Sequence, residues 1–95
     1  MDFCDVVRKL YETIEGRKIK LPEGSYTSSL FKKGEDKILQ KVGEEAVETI
    51  LAFKTHKKEE IVYETSDLIY HLFVALVNER VTLDDIAAEL EKRMK

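Results

Sequence analysis

An all-α single domain is the fold this chain of 95 residues predicts, and three observations predict it. Apolar residues recur at helical spacing through most of the chain. Glycine (4) and proline (1) are scarce and confined to residues 16–43. No run of alternating apolar and polar residues persists outside that region. The length fits one domain spanning residues 1–95. At 43% hydrophobic the chain has material for a core, but a domain this small has little to spare.

The first helix is expected from an Asp2 N-cap to Glu15, with Phe3, Val6, Val7, Leu10 and Ile14 as its apolar stripe and Gly16 as its stop. Residues 16–27, with Leu21-Pro22-Glu23-Gly24-Ser25-Tyr26-Thr27, are expected as a loop. Ser28 to Lys33 fits a short helical stretch ended by Gly34. A long helix should follow from Glu35 to Thr55, with Ile38, Leu39, Val42, Ala46, Ile50 and Phe53 as its apolar face. The polar Thr55-His56-Lys57-Lys58 run marks a turn. The next helix should span Lys58 to Asn78, with Ile61, Leu68, Ile69, Leu72, Phe73, Leu76 and Val77 apolar. Thr82-Leu83-Asp84-Asp85 is an acidic variant of the capping box and opens a last helix to Met94. The apolar stripes of the two long helices exceed what one hairpin covers. A homodimer is therefore expected, two hairpins forming a four-helix-bundle core with additional flanking helices.

A net charge of −3 gives no global attraction to nucleic acid or to an anionic membrane. The single cysteine, Cys4, excludes an intramolecular disulfide and a multi-cysteine zinc site within one chain. Residues 1–16 carry charges throughout, unlike a signal peptide or membrane span, so a cytoplasmic location is expected.

The chemistry lies in two acidic pairs, Glu45/Glu48 and Glu64/Asp67, each spaced to share a helix face. The pairs are mirror-placed about His56: Glu48 and Glu64 lie eight residues away on either side, Glu45 and Asp67 eleven. Lys41 and His71 continue the mirror at fifteen. In a hairpin folded at His56, Glu48 faces Glu64, Glu45 faces Asp67, and Lys41 and His71 share the next level. An acidic helix face is ordinarily solvated surface. Here, however, Glu64 and Asp67 sit in the most apolar segment, where an unpaired carboxylate is costly. Four converging carboxylates repel one another unless a cation lies among them. Oxygen-only ligation favours magnesium, with manganese as a substitute, and so points to a phosphorylated small-molecule substrate. No Glu-x-x-His occurs, unlike a di-iron bundle.

Glu44 is an alternative to Glu45 as ligand, but the mirror favours Glu45 and leaves Glu44 as a nearby base or ion-pair partner. Lys37 and Lys41 share the acidic face and are placed to grip phosphate oxygens. Lys32 and Lys33 read as surface lysines. Tyr70 reads as a packing residue with a satisfied hydroxyl. For His71, a hydrogen-bonded core role and a role near substrate weigh equally.

Ser25-Tyr26-Thr27, Gly34, Lys41-Val-Gly-Glu-Glu-Ala-Val-Glu48 and Glu64-x-x-Asp67-x-x-Tyr70-His71 together resemble the phosphoribosyl-ATP pyrophosphohydrolase family of histidine biosynthesis. That family lies within the all-α nucleoside-triphosphate pyrophosphohydrolases related to MazG and dimeric dUTPases. The resemblance covers nearly the whole chain. The acidic pattern identifies the superfamily, while the Ser-Tyr-Thr and Lys-Val-Gly-Glu-Glu-Ala runs point to this member. It implies hydrolysis of the α–β phosphoanhydride of 1-(5-phosphoribosyl)-ATP to 1-(5-phosphoribosyl)-AMP and pyrophosphate, by a homodimer in the standalone form. Glu45, Glu48, Glu64 and Asp67 would hold magnesium, and Glu44, Glu45 and Glu48 would be the catalytic carboxylates. Ser25, Tyr26 and Thr27 would lie in a substrate-binding loop, with Lys41, Tyr70 and His71 as further site residues. Two alternatives stand beside this reading: pyrophosphohydrolysis of another nucleoside triphosphate, and a non-catalytic helical dimerisation module.

Overall fold

The computed structural model describes residues 1–95 and is entirely helical, with no strand. Five helices follow in order: α1 (Phe3–Lys20), α2 (Tyr26–Lys33), α3 (Glu35–Thr55), α4 (Lys58–Asn78) and α5 (Leu83–Arg93). The two long helices and the last one fall where the apolar spacing places them.

The N-terminal third departs from expectation. Asp2 does cap α1, its Oδ1 accepting from the Asp5 N–H at 2.8 Å. Gly16 does not stop it, and the helix runs on to Lys20. A helical glycine costs about 1 kcal/mol relative to alanine. The next turn offsets that: Arg17 bonds Ser25, Lys18 bonds the Val77 carbonyl, and three basic residues face the negative helix end. The stop falls at Leu21 (φ 46°), just before Pro22, which has no N–H to continue the ladder. The loop is correspondingly shorter. Ser25 caps α2 by accepting from the Ser28 N–H, so Tyr26 and Thr27 are its first helical residues and not loop. Gly34 alone joins α2 to α3 at φ 98°, a conformation closed to side-chain-bearing residues.

α3 and α4 form an antiparallel hairpin that turns at His56 (φ 58°) and Lys57, and α1 and α2 lie against it. The core is Tyr11, Ile14, Leu30, Ile38, Val74 and Val77. Tyr11 Oη donates to the Val81 carbonyl at 2.6 Å, tying α1 to the turn before α5. Thr82 and Asp85 complete both halves of the capping box on α5, which buries no residue fully.

The buried stripe of α3 differs from the expected apolar face. It comprises Ile38, Glu45, Thr49 and Ala52, while Leu39, Ile50 and Phe53 are exposed. α3 carries apolar residues on more than one face, and the face against α4 is polar at its centre. Only 12 of 95 residues are buried, so much apolar surface stays open along the hairpin, including Val47, Leu51, Val62 and Tyr63. No helix is long and apolar enough to cross a membrane.

Candidate functional site

The hairpin register sets the site. Thr49 Oγ1 lies 2.7 Å from its own helix's Glu45 carbonyl and 3.0 Å from the Glu64 carbonyl across the interface. One level further from the turn, carboxylate oxygens of Glu45 and Asp67 come within 4.8 Å of each other. His71 lies one helical turn on from Asp67, and donor atoms of Glu45, Asp67 and His71 all fall within 4.8 Å of one another. Glu45 is 7% exposed, and its Oε2 is buried without a hydrogen-bond partner. Burial pushes the Glu45 carboxyl up from the usual carboxylate range. The nearby Asp67 side chain and its charge push the same way, and Lys41 opposes them. A buried, half-satisfied carboxylate facing another is poorly stable alone, and a cation would satisfy both.

An aromatic wall closes the side toward α2. His71 is 3% exposed; its Nε2 is 3.0 Å from Tyr26 Oη and its Nδ1 is 2.8 Å from the Asp67 carbonyl. Thr27 Oγ1 and Tyr70 Oη are hydrogen-bonded. The Tyr26 and Tyr70 rings stack at 6.3 Å, and each meets His71 edge-on. Burial raises the Tyr26 phenol, against the pull of Lys41. For Lys41 itself burial acts downward, but Tyr26, Glu44 and Glu45 outweigh it and the ammonium is held upward. A lasting positive charge therefore stands at the rim of the acidic pair.

The remaining expected residues lie around this centre. Glu44 is exposed, bonded by Gln40 Nε2 at 3.1 Å and paired with Lys41 at 3.5 Å. The Gln40 hydrogen bond, and then Lys41, hold its carboxyl below the usual range. Glu48 and Glu64 are not in the Glu45–Asp67 cluster. They line an open groove of about 380 Å³ nearer the hairpin turn, with Leu51, Glu59, Glu60 and Tyr63. Lys37 is half-buried, and its charge adds to the lowering at Glu44. Ser25 Oγ is occupied as the α2 cap and as acceptor of Arg17, 3.2 Å away.

Three features escaped sequence reasoning. Thr49, a threonine amid apolar helix residues, carries no distinctive signal in the sequence. Arg17 was hidden by reading Gly16 as a helix stop. The Tyr26–His71 bond joins residues 45 apart, for which spacing offers no cue. The capping potential of Ser25 was legible and would have placed Tyr26 and Thr27 on a helix.

The fold is that of an all-α protein whose central hairpin brings together Glu45, Asp67 and His71, residues that could hold a metal ion. The sequence model of the phosphoribosyl-ATP pyrophosphohydrolase family matches residues 7–94, and the chain belongs to that family of enzymes. It is 53% identical to a phosphoribosyl-ATP pyrophosphatase of Clostridium botulinum, over 98% of this chain and 84% of that protein. It is 49% identical to the phosphoribosyl-ATP pyrophosphatase of Haloarcula marismortui, over 97% of this chain and 96% of that one. The chain also matches the histidine biosynthesis bifunctional protein HisIE of Caldanaerobacter subterraneus subsp. tengcongensis at 61% identity, over 99% of this chain. There it spans about half, 46%, of the relative's length.

Proposed function

We propose that this chain hydrolyses the α–β phosphoanhydride of 1-(5-phosphoribosyl)-ATP, releasing 1-(5-phosphoribosyl)-AMP and pyrophosphate, as a magnesium-dependent cytoplasmic step of histidine biosynthesis. The observation that carries the reading is the Glu45–Asp67 pair, with a buried Glu45 oxygen that no protein group satisfies, in a chain of this family. Glu45 and Asp67 would hold the ion, with Glu48 and Glu64 reaching it from the adjoining turn. Manganese would substitute. Magnesium, when bound, supplies charge neutralisation at the phosphoryl oxygens and acidifies the attacking water.

The chain's own groups do the rest. Lys41, held charged at the rim, and Lys37 take up phosphate charge. Glu44 stays ionised because Gln40 and Lys41 stabilise its anion, and it accepts the proton of the attacking water. Ser25, Tyr26, Thr27, Tyr70 and His71 form the wall against which the nucleotide lies, and Tyr26, half exposed, offers a ring face for stacking. The exposed apolar residues of α3 and α4 support a homodimer, in which two hairpins form a four-helix bundle. No role for nucleic acid or membrane is proposed.

Purified protein incubated with phosphoribosyl-ATP, ATP and dUTP in magnesium tests the substrate. Pyrophosphate release from phosphoribosyl-ATP far above the other two is expected. Turnover of ATP or dUTP with phosphoribosyl-ATP untouched would refute the assignment.

A further inference from the structure

A ring nitrogen of His71 lies within 4.8 Å of carboxylate oxygens of both Glu45 and Asp67, yet its hydrogen bonds give the ring a different task. Nδ1 faces only acceptors: the Asp67 carbonyl at 2.8 Å and Asp67 Oδ1 at 3.2 Å. A ring nitrogen held between two acceptor oxygens must carry a hydrogen. In the neutral ring Nε2 then has the lone pair, and its neighbour at 3.0 Å, Tyr26 Oη, must donate to it. Both nitrogens are thereby used and neither is free for a cation. We infer that Tyr26 and His71 are positioning residues: Tyr26 donates to His71 Nε2, which keeps Nδ1–H on Asp67 and aims the Asp67 carboxylate at Glu45.

The surroundings support this task. His71 is 3% exposed, so no water competes for its ring. Tyr26 and Tyr70 pack edge-on to it from two sides, at 5.8 and 4.9 Å between centroids, which blocks rotation of the ring. Asp67 is a third exposed and would otherwise swing toward solvent on its helix. Nδ1–H bonds the Asp67 main-chain carbonyl, and Oδ1 lies 3.2 Å from the same nitrogen, which leaves the other carboxylate oxygen for Glu45 and a cation. Ligating carboxylates are themselves held in place by outer polar partners, and His71 stands in that position to Asp67. It also links α2, which carries Tyr26, to the carboxylate pair of α3 and α4.

The inference rests on the cation site proposed above, and two measurements separate the two readings. The first needs no metal. Long-range proton–nitrogen spectra of the labelled full chain are taken at about pH 8.5, well above the ordinary histidine value of about 6.5. His56 is the only other histidine, so assignment is simple. The Nδ1–H tautomer is expected at His71, and an Nε2–H ring would overturn the relay. The second is manganese binding by calorimetry to wild type and to Tyr26→Phe, His71→Leu and His71→Asn. Tyr26→Phe and His71→Leu should each weaken binding about tenfold, as expected for outer partners of a ligand. His71→Asn keeps an amide donor at the Nδ1 position and should recover most of the loss, which a packing role alone would not produce. Wild-type binding with affinity unchanged in both Tyr26→Phe and His71→Leu overturns the relay alone. No manganese binding by the wild type overturns the cation site itself.

Discussion

Glu45→Gln removes one negative charge from the centre of the site while keeping the shape of the side chain. The Glu45 and Asp67 oxygens lie within 4.8 Å of one another. Two full charges at that separation repel by about 3.5 kcal/mol at an effective dielectric of about 20, and a shared proton relieves part of this. A glutamine amide donates to Asp67 and ends the repulsion, so the metal-free variant should be at least as stable as the wild type. Metal should reverse the order. At a concentration one hundred times its Kd, a ligand that binds only the folded form adds about 2.7 kcal/mol. For a domain of this size that corresponds to a rise in Tm of roughly 10–20 °C. Thermal melts followed by circular dichroism, with and without manganese, make the comparison. The expected pattern is a large metal-induced rise in the wild type and none in Glu45→Gln. A variant that melts several degrees below metal-free wild type, yet keeps the full metal-induced rise, would show that Glu45 neither repels Asp67 nor holds the metal.

Four further perturbations follow from particular contacts and exposed residues. Thr49→Val keeps the volume but loses the hydroxyl between the Glu45 and Glu64 carbonyls, and should lower stability by about 1 kcal/mol in denaturant unfolding. Thr82→Ala removes the α5 cap at a cost of about 1 kcal/mol, read in the same way. Asp85, in the same capping box, has its carboxyl lowered by the Thr82 backbone N–H and hydroxyl. Its contribution is therefore present above its ordinary value of 3.8 and lost as pH falls through the lowered one, so acid should fray α5 in the wild type and not add to the loss in Asp85→Asn. Ile50, 63% exposed on the hairpin, should be covered in the dimer. Light scattering should give twice the 11.0 kDa chain mass for wild type and a monomer for Ile50→Glu, whereas monomeric wild type would contradict the pairing.

Much of the architecture was legible because helical spacing and turn chemistry are local signals. Glu35–Thr55, Lys58–Asn78 and the Thr82 cap were all readable from residues a few positions apart. The error at Gly16 has the same origin: a glycine reads as a stop locally, while the contacts that carry α1 to Lys20 are made with residues distant in the chain. The mirror about His56 was legible as a register, and Glu45 and Asp67 do meet in the fold. What spacing does not carry is which face each helix buries. Ile50 and Phe53 look like core by hydrophobicity, yet the hairpin buries Glu45 and Thr49 instead. The aromatic wall of Tyr26, Tyr70 and His71 depends on how α2 folds back on α4, a tertiary fact with no local sign.

In the proposed function, the Glu45–Asp67 pair holds the magnesium on which cleavage of phosphoribosyl-ATP depends. Initial rates of pyrophosphate release, measured as free magnesium is raised from a chelated baseline, test it most directly. The wild type should show a saturable rise from near zero, and Glu45→Gln should stay at the baseline across the same range. A wild-type rate indifferent to magnesium, or a Glu45→Gln rate that follows the wild-type curve, would show that Glu45 does not hold a required ion.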